Sequence, residues 1–332
     1  MLSMPFSRSA SAQAAKPVSE PREPQQVPER GIALALGGGA ARGWSHIGVL
    51  RALDEARIPI KMIAGTSIGA LVGGCYLAGK LDELEEFARS LTPRRIMGLL
   101  DLSLRGSGLI SGYRLAERME DHLGNIRLEN LDRPLVCVAC EIHTGHEVWL
   151  SRGPIIDAIR ASYALPGIFE PVMLNGRLLV DGALVNPVPV PVCRAYEVDA
   201  VVAVNLSSDI FGRGTIVRDV EPTGAVSAPP LATDDLISRS GSAASVVRLG
   251  KALGVSGVMV EAFNIIQDRI ARSRLAGDPP DLSIIPHVGM IGLADFHKAD
   301  EAIKLGYEAA KREVDRLQIL ADVRASAPPA GA

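Results

Sequence analysis

Short apolar runs that end in glycine-rich turns and lead into helical patterns are the feature that most restricts the fold of this chain. The first run is Gly31-Ile-Ala-Leu-Ala-Leu36, and the second extends from Pro59 to Ala64 and precedes a helical pattern over 68–78. An uninterrupted apolar run of this length is typical of a strand that is buried on both faces. Alternation of such strands with helices predicts an α/β fold with a mostly parallel sheet covered on both sides.

The rest of the chain continues this alternation. Further strands are predicted at 135–140, 146–150, 178–181, 199–205 and 282–286. Helices are predicted at 82–91, 113–123, 154–163, 243–274 and 295–317. The last helix is amphipathic, because its small and apolar residues recur at helical spacing on one face.

Composition separates one folded region from two tails. Residues 1–29 contain five prolines and few large apolar side chains, which predicts a disordered N-terminal tail without a secretory signal. One domain is predicted over 30–318, with a long surface loop at 207–240 that is rich in Ser, Gly, Pro and Asp. The Ala-, Pro- and Ser-rich residues 319–332 are expected to form a flexible C-terminal tail. No apolar run reaches the roughly 18 residues of a membrane-spanning helix.

Charge and cysteine content exclude several classes of function. The 35 basic and 38 acidic side chains give a net charge of −3, which offers no basic surface for nucleic acid. Cys137 and Cys140 lie three residues apart on a predicted strand, so their side chains point to opposite faces and do not converge on a metal. We therefore expect no metal or other cofactor. Unpaired thiols suit a reducing, cytoplasmic location.

The first cluster that could support chemistry is the glycine turn Gly37-Gly-Gly-Ala-Ala-Arg-Gly43, between a strand and a helix. Glycines there expose backbone N–H groups, and a helix N-terminus favours an anion. A phosphate-binding loop would need a Gly-Lys-Ser/Thr sequence, and a dinucleotide site would need an acidic residue after the second strand. Neither is present, so the turn predicts a site for an oxyanion rather than for a nucleotide.

The second and third clusters supply a nucleophile and a base. Gly65-Thr-Ser-Ile-Gly69 lies between a strand and a helix, which is the setting of a nucleophile elbow and singles out Ser67. Val180-Asp-Gly-Ala183 ends a short apolar run, and Asp181 becomes the leading candidate for the base once a nucleophilic serine is present.

The three clusters together resemble the patatin-like phospholipase family, specifically its bacterial members related to the catalytic domain of neuropathy target esterase. A fourth block, Ala161-Ser-Tyr-Ala-Leu-Pro-Gly-Ile-Phe-Glu-Pro171, matches the family's Ala-Ser-X-X-X-Pro pattern. The resemblance covers about residues 30–317. The chain departs from the family at Ala183, where many members have Gly, and at Cys140-Glu-Ile, where relatives often have Thr-Asp-Leu.

The resemblance implies a three-layer α/β/α fold and hydrolysis of lipid acyl esters by a Ser67–Asp181 dyad. It also implies that Gly37, Gly38 and Gly39 stabilise the oxyanion, with Gly65 and Gly69 framing the nucleophile elbow. In such a dyad the carboxylate takes the serine proton directly. The ordinary pKa of this carboxyl group is about 3.9, and burial beside the serine is expected to raise it.

Two alternatives remain open from the sequence. A conventional Ser–His–Asp hydrolase would need a late histidine, and His287 or His297 stands at the required place in chain order. A regulatory protein could keep the same fold with little turnover. His46, on the apolar face of the first helix, is instead expected to be a hydrogen-bonded core residue.

Two further features have more than one interpretation. Arg42 follows the glycines and either helps hold the oxyanion region or forms a structural ion pair. Residues 96–110 are apolar and interrupted by glycines, which suits either a lid over the acyl entrance or a packed connector. The sequence therefore predicts a cytoplasmic serine acyl hydrolase with a lipid ester as its partner and no nucleic acid. Transient docking on a membrane surface is compatible with this prediction, and the oligomeric state stays open.

Overall fold

A central sheet organises the residues that the computed structural model describes, which are 31–99, 108–110, 113–208 and 255–322. The strands in these ranges are Ile32–Leu36 (β1), Ile60–Thr66 (β2), Gly108–Ile110 (β3), Leu135–Glu141 (β4), Glu147–Leu150 (β5), Gly167–Phe169 (β6), Val172–Leu174 (β7), Arg177–Asp181 (β8), Val201–Val204 (β9) and Leu282–Ile284 (β10). The helices are Ser45–Glu55 (α1), Ile68–Leu77 (α2), Leu81–Arg89 (α3), Pro93–Leu99 (α4), Tyr113–Leu123 (α5), Ile155–Tyr163 (α6), Val190–Arg194 (α7), Val255–Gly277 (α8), Ala299–Lys311 (α9) and Val314–Asp322 (α10). A short 3-10 helix, Ala40–Trp44, precedes α1.

The main sheet has a parallel half and an antiparallel half. Strands β10, β9, β1, β2 and β4 are adjacent in that order and parallel. Strands β5 and β8 both pair with β4 in the antiparallel sense. Strand β7 in turn pairs with β8, and this pair is antiparallel as well. Short hairpin connections join β4 to β5 and β7 to β8, as antiparallel neighbours allow, and α6 lies in the connection from β5 to β6. The predicted parallel arrangement therefore holds for one half of the sheet.

The sheet separates two apolar cores, which gives the three layers. On β1 the large side chains of Ile32, Leu34 and Leu36 face the larger core, which includes residues of α1, α2, α6 and α9. The small side chains of Ala33 and Ala35 face the other core, with residues of α7 and α8. Successive strand residues point to opposite faces, so one short run of sequence supplies both cores. This architecture confirms the α/β/α fold.

Two strands meet end to end at the middle of the sheet. Val138 of β4 pairs with Thr66 of β2 on one edge and with Trp149 of β5 on the other. The next residue, Ala139, pairs with Asp181 of β8 and with Val148 of β5. Strands β2 and β8 therefore share one edge of β4. Because β2 is parallel and β8 antiparallel to β4, the carboxyl ends of both strands face each other.

The boundaries predicted from the sequence need some correction. The helix predicted at 295–317 is two helices, α9 and α10, and α10 continues to Asp322 with Ala321 buried, so residues 319–322 are helical rather than part of a tail. The predicted helix at 243–274 is described from Val255 onwards as α8. The N-terminal tail, residues 209–240 of the predicted loop and residues 323–332 lie outside the described residues. Among the helices of the described ranges, none combines the length and the hydropathy that a membrane span requires.

Helices α1 and α9 cross with their backbones in contact. A Cβ atom added at Gly48 would overlap the carbonyl oxygen of Ile303, and one added at Gly306 would overlap the carbonyl oxygen of Ser45. Glycine at both positions removes this obstacle, which lets the two helices approach more closely than side chains normally allow. The pair fixes α9 against the helix that follows the glycine turn.

We expect Gly306→Ala to lower the free energy of unfolding by about 1–3 kcal/mol, because the added methyl group forces the two helices apart. Gly277→Ala is the matched control, since no atom lies within 4 Å of the position a Cβ would take there. Urea unfolding followed by circular dichroism measures both variants. Equal midpoints for the two variants would show that the close crossing contributes nothing.

Candidate active site

Ser67 occupies a strained turn between β2 and α2. Its backbone has φ 58° and ψ −122°, a combination that costs an L-residue about 1–3 kcal/mol and persists only where the surroundings enforce it. The two flanking glycines permit the turn, because a Cβ at Gly65 would press into the backbone of Ala70 and one at Gly69 would overlap the carbonyl oxygen of Leu36. The strand–turn–helix setting expected from the sequence is present.

Asp181 meets Ser67 directly. The Ser67 hydroxyl donates a 2.7 Å hydrogen bond to Oδ2 of Asp181, and the Ala183 amide donates a 2.8 Å bond to Oδ1. The carboxyl group is almost fully buried at the end of β8. Burial raises the pKa of Asp181 to about 6, and the two hydrogen bonds offset this only in part. At neutral pH the group is therefore an ionised carboxylate with enhanced basicity.

Ser162 forms two hydrogen bonds at the junction where Ser67 and Asp181 meet. Its hydroxyl donates a 2.6 Å hydrogen bond to the carbonyl oxygen of Val138 and accepts a 2.9 Å bond from the Ser67 amide. Val138 lies on β4 where β2 ends and β8 begins to pair, so Ser162 satisfies a polar group left between the two strands. No role was predicted for Ser162 from the sequence, although it lies in the Ala-Ser-X-X-X-Pro block.

The glycine turn presents fewer donors than the sequence suggested. The Gly37 amide donates to the carbonyl of Val204 at 3.1 Å, and the Gly38 amide donates to the carbonyl of Pro187 at 2.9 Å. The first bond joins the turn to β9 and the second joins it to the segment between Asp181 and α7, so both amides are already engaged. The hydrogen bonds among the described residues leave the Gly39 amide without a protein acceptor, and Gly39 lines the cavity in front of Ser67.

A further donor comes from the helix after the nucleophile. Ile68 is the first residue of α2, so its amide has no intrahelical acceptor, and it lines the same cavity. The positive end of the α2 dipole points in the same direction. The amides of Gly39 and Ile68 therefore replace those of Gly37 and Gly38 as the open donors beside Ser67. The number of glycines in a turn does not reveal which of their amides already donate a hydrogen bond to another part of the backbone.

His46 supports the glycine turn from behind. Its Nε2 lies 2.7 Å from the carbonyl oxygen of Gly37, and because that oxygen only accepts, Nε2 carries the proton and donates. The imidazole is fully buried, and burial lowers its pKa to about 4, so it is neutral at physiological pH. The predicted role of His46 as a hydrogen-bonded core residue is confirmed.

Arg42 points toward the C-terminal part of the fold. Its Nε donates a 2.7 Å hydrogen bond to the carbonyl of Ile291, and Nη1 lies 3.5 Å from Oδ1 of Asn264 on α8. The side chain is buried, and it does not line the cavity at Ser67. These contacts favour a structural role over one at the oxyanion, but the partners are a carbonyl and an amide oxygen rather than the acid that was expected from the sequence.

An apolar cavity opens in front of Ser67 and Asp181. Its other lining residues are almost all aliphatic or aromatic. They come from the 3-10 helix, α2 to α6, β6, α8, the segment before α9 and the connections next to these elements: Gly39, Ala40, Trp44, Ile68, Leu71, Phe87, Leu91, Ile96, Leu115, Tyr163, Leu165, Phe169, Phe263, Gln267, Leu293 and Phe296. No histidine is among them, and His287 and His297 are both exposed. The structure brings no imidazole into this cavity between Ser67 and Asp181.

The segment 96–110, predicted as a lid or a packed connector, lies partly at the wall of this cavity. Ile96, on α4, contributes to the wall. Residues 108–110 form β3, which pairs with β6, and residues 100–107 lie outside the described ranges. Among the described residues, no group of three or more His, Cys, Asp or Glu side chains could hold a metal ion.

Comparison with known proteins agrees with this arrangement of fold and residues. A family model described as patatin-like phospholipase matches residues 34–194. An uncharacterized NTE family protein of Mycobacterium bovis is 34% identical over 343 aligned positions, covering 89% of this chain and 94% of that protein. The chain belongs to the patatin-like phospholipase family.

More distant relatives include an enzyme with a named activity. The lysophospholipase nte1 of Emericella nidulans is 25% identical across 87% of this chain, which corresponds to 18% of that much longer protein. Among solved structures, VipD from Legionella pneumophila matches 87% of this chain and 67% of its own, with a TM-score of 0.48 and 14% identity.

We expect Ser162→Ala to destabilise the protein by about 2–4 kcal/mol, because the carbonyl of Val138 and the amide of Ser67 both lose their buried partner. Ser162→Thr keeps the hydroxyl and serves as the matched control. Thermal and urea unfolding measure the loss. An alanine variant as stable as the wild type would show that water or a neighbouring group replaces the hydroxyl.

Proposed function

We propose that the protein hydrolyses carboxylic ester bonds of phospholipids or lysophospholipids through an acyl-enzyme on Ser67. The observation that carries this proposal is the 2.7 Å hydrogen bond from Ser67 to the buried Asp181, at the base of an apolar cavity. Membership of the patatin-like phospholipase family, and similarity to a lysophospholipase, support lipid hydrolysis. The aliphatic and aromatic walls suit an acyl chain better than a polar substrate.

The proposed reaction has two halves that use the same pair of residues. In the first, Oγ of Ser67 attacks the ester carbonyl carbon while Asp181 accepts the hydroxyl proton. Asp181 then returns this proton to the departing alcohol, which leaves the acyl group on Ser67. In the second half, Asp181 takes a proton from water, the resulting hydroxide attacks the acyl-enzyme, and Ser67 regains its proton as the fatty acid departs.

The negative charge on the carbonyl oxygen requires donors that are already in place. We assign this role to the amides of Gly39 and Ile68, which lack protein acceptors among the described residues and line the cavity beside Ser67. One such donor accounts for roughly 10²–10³ in turnover. His46 and Arg42 act as positioning residues, because they hold the backbone that carries Gly39.

The setting of Asp181 compensates for the missing imidazole. A carboxylate with an ordinary pKa is a weak base toward a serine hydroxyl, but burial raises the pKa of Asp181 to about 6. The group stays ionised at neutral pH and lies nearer the pKa that proton transfer favours. Four free cysteines, all buried, agree with our assignment of the reaction to the cytoplasm, with substrate taken from a membrane surface.

We expect Ser67→Ala and Asp181→Asn each to reduce ester hydrolysis by at least about 10³-fold, because one removes the nucleophile and the other the base. His287→Ala and His297→Ala are the matched controls and should keep most of the activity, since both side chains are exposed. Hydrolysis of lysophosphatidylcholine and of a soluble ester measures all four variants.

Labelling with a fluorophosphonate separates an enzyme from a regulatory protein of the same fold. Wild-type protein should be labelled at Ser67, and Ser67→Ala should not. A histidine variant as inactive as Ser67→Ala would favour a triad, and absence of labelling in the folded wild type would favour a regulatory role.

We expect kcat/KM to fall below about pH 6 with a slope of one proton, because Asp181 must be ionised to act as the base. Its raised pKa also means that the folded state binds this proton more tightly than the unfolded chain does. The free energy of unfolding therefore falls as pH rises from about 4 to 6, by about 3 kcal/mol, and stays level above that window.

Asp181→Asn lacks this titration, so the variant should be more stable than the wild type at pH 8 and lose that advantage near pH 4. Melting curves across the pH range test the stability, and initial rates test the activity. If the fall in kcat/KM on the acid side were centred near pH 4, burial would not raise the pKa of the catalytic base.

A further inference from the structure

A second cavity adjoins the one in front of Ser67. Leu71, Phe87 and Leu115 line both, so the two cavities share a wall. The floor of the second cavity is apolar and buried, and is formed by Cys75, Leu84, Met119 and Leu123. We call this cavity the distal chamber. The proposed reaction takes place in the first cavity, and it does not account for the distal chamber.

Helix α2 gives the direction and the distance from the nucleophile to the distal chamber. Ser67 precedes the helix and opens into the first cavity, Leu71 lines both cavities and Cys75 lines the distal one. Residues four apart lie on one face of a helix, and each step advances about 6 Å along the axis. The distal chamber therefore begins at the level of Leu71, about 6 Å from Ser67, and extends along the same helix face to Cys75, about 12 Å from Ser67.

This distance matches the length of a membrane acyl chain. The hydrocarbon core of a bilayer is about 30 Å thick, so one chain spans about 15 Å. A chain of that length, bound by its ester at Ser67 and following α2, passes Leu71 and ends beyond the level of Cys75. A chain of about half that length ends near Leu71, where the two cavities meet.

Six acidic or basic residues also line the distal chamber. Glu86 and His122 are exposed, and the other four are in contact with neighbouring groups. Lys80 forms a 2.7 Å ion pair with Glu83, and Arg95 donates a 3.3 Å bond to the carbonyl of Ser90. The guanidinium carbon of Arg118 lies 5.8 Å from the centroid of the Phe87 ring. These contacts leave an apolar floor beneath a solvated rim, which favours a hydrocarbon occupant over a phosphate group.

We propose that the distal chamber binds the methyl end of long acyl chains and that Phe87, stacked beneath Arg118, forms the threshold between the two cavities. The protein then prefers esters of membrane-length fatty acids over short-chain esters. This inference rests on the proposed function, because it takes Ser67 as the point of attachment of the acyl group.

Filling the distal chamber tests the proposal. Met119→Trp adds bulk from α5, and Cys75→Phe adds it from α2, so one variant remains informative if the other does not fold. Asp121→Trp is the matched control, since Asp121 is exposed on the same helix and does not line the chamber. The readout is the ratio of kcat/KM for p-nitrophenyl palmitate to that for p-nitrophenyl octanoate, with melting curves to verify folding.

Each buried methylene group contributes about fourfold to affinity, so excluding three or more of them should lower this ratio by at least about 60-fold. Asp121→Trp should keep the wild-type ratio. Calorimetric binding of palmitate and octanoate to Ser67→Ala gives the same comparison without turnover. There, Met119→Trp combined with Ser67→Ala should weaken the binding of palmitate alone.

Two results would overturn the proposal. One is an unchanged ratio in both folded variants, and the other is inhibition by inorganic phosphate that Met119→Trp abolishes, which would indicate a head-group site. Failure of the proposed function looks different, because the wild type would hydrolyse neither ester while Ser67→Ala would still bind palmitate more tightly than octanoate.

Discussion

The head-to-head meeting of β2 and β8 along one edge of β4 is the constraint on which the rest of this structure depends. Thr66 pairs with Val138 and Asp181 pairs with Ala139, so two strands far apart in sequence end at adjacent positions. The hydrogen bond between Ser67 and Asp181 follows from this register. A purely parallel sheet would place the carboxyl ends of neighbouring strands side by side, and a return strand is needed to make two ends face each other.

This arrangement carries a free-energy penalty from backbone strain and from burial of a carboxyl group, and contacts in the surrounding structure offset it. Ser67 has a positive φ, and a carboxyl group is buried without a cationic partner among its hydrogen bonds. Ser162 satisfies the polar groups that the junction exposes, and Gly182 is required because a Cβ there would overlap the carbonyl oxygen of Val138. Strain and desolvation are thus concentrated where chemistry would use them.

The region around the junction divides into a polar support and an apolar entrance. Behind the glycine turn, His46 and Arg42 fix the backbone through carbonyl contacts that do not reach the cavity. In front of it, side chains from several helices form walls that extend along α2 into the distal chamber. A lipid ester fits this division, because its carbonyl needs fixed dipoles while its chain needs only apolar surface.

The sequence by itself determined the alternation of strands and helices, the elbow at Ser67 and the strand end at Asp181, because buried strands and tight turns depend on local residue types. The antiparallel half of the sheet, the break between α9 and α10 and the role of Ser162 were not predictable from local pattern. The family resemblance also implied three glycine amides as donors, whereas the fold engages the amide of Gly37 with a strand carbonyl and that of Gly38 with the carbonyl of Pro187. Only the tertiary structure decides which polar groups are already paired, because pairing depends on the register of strands that are distant along the chain.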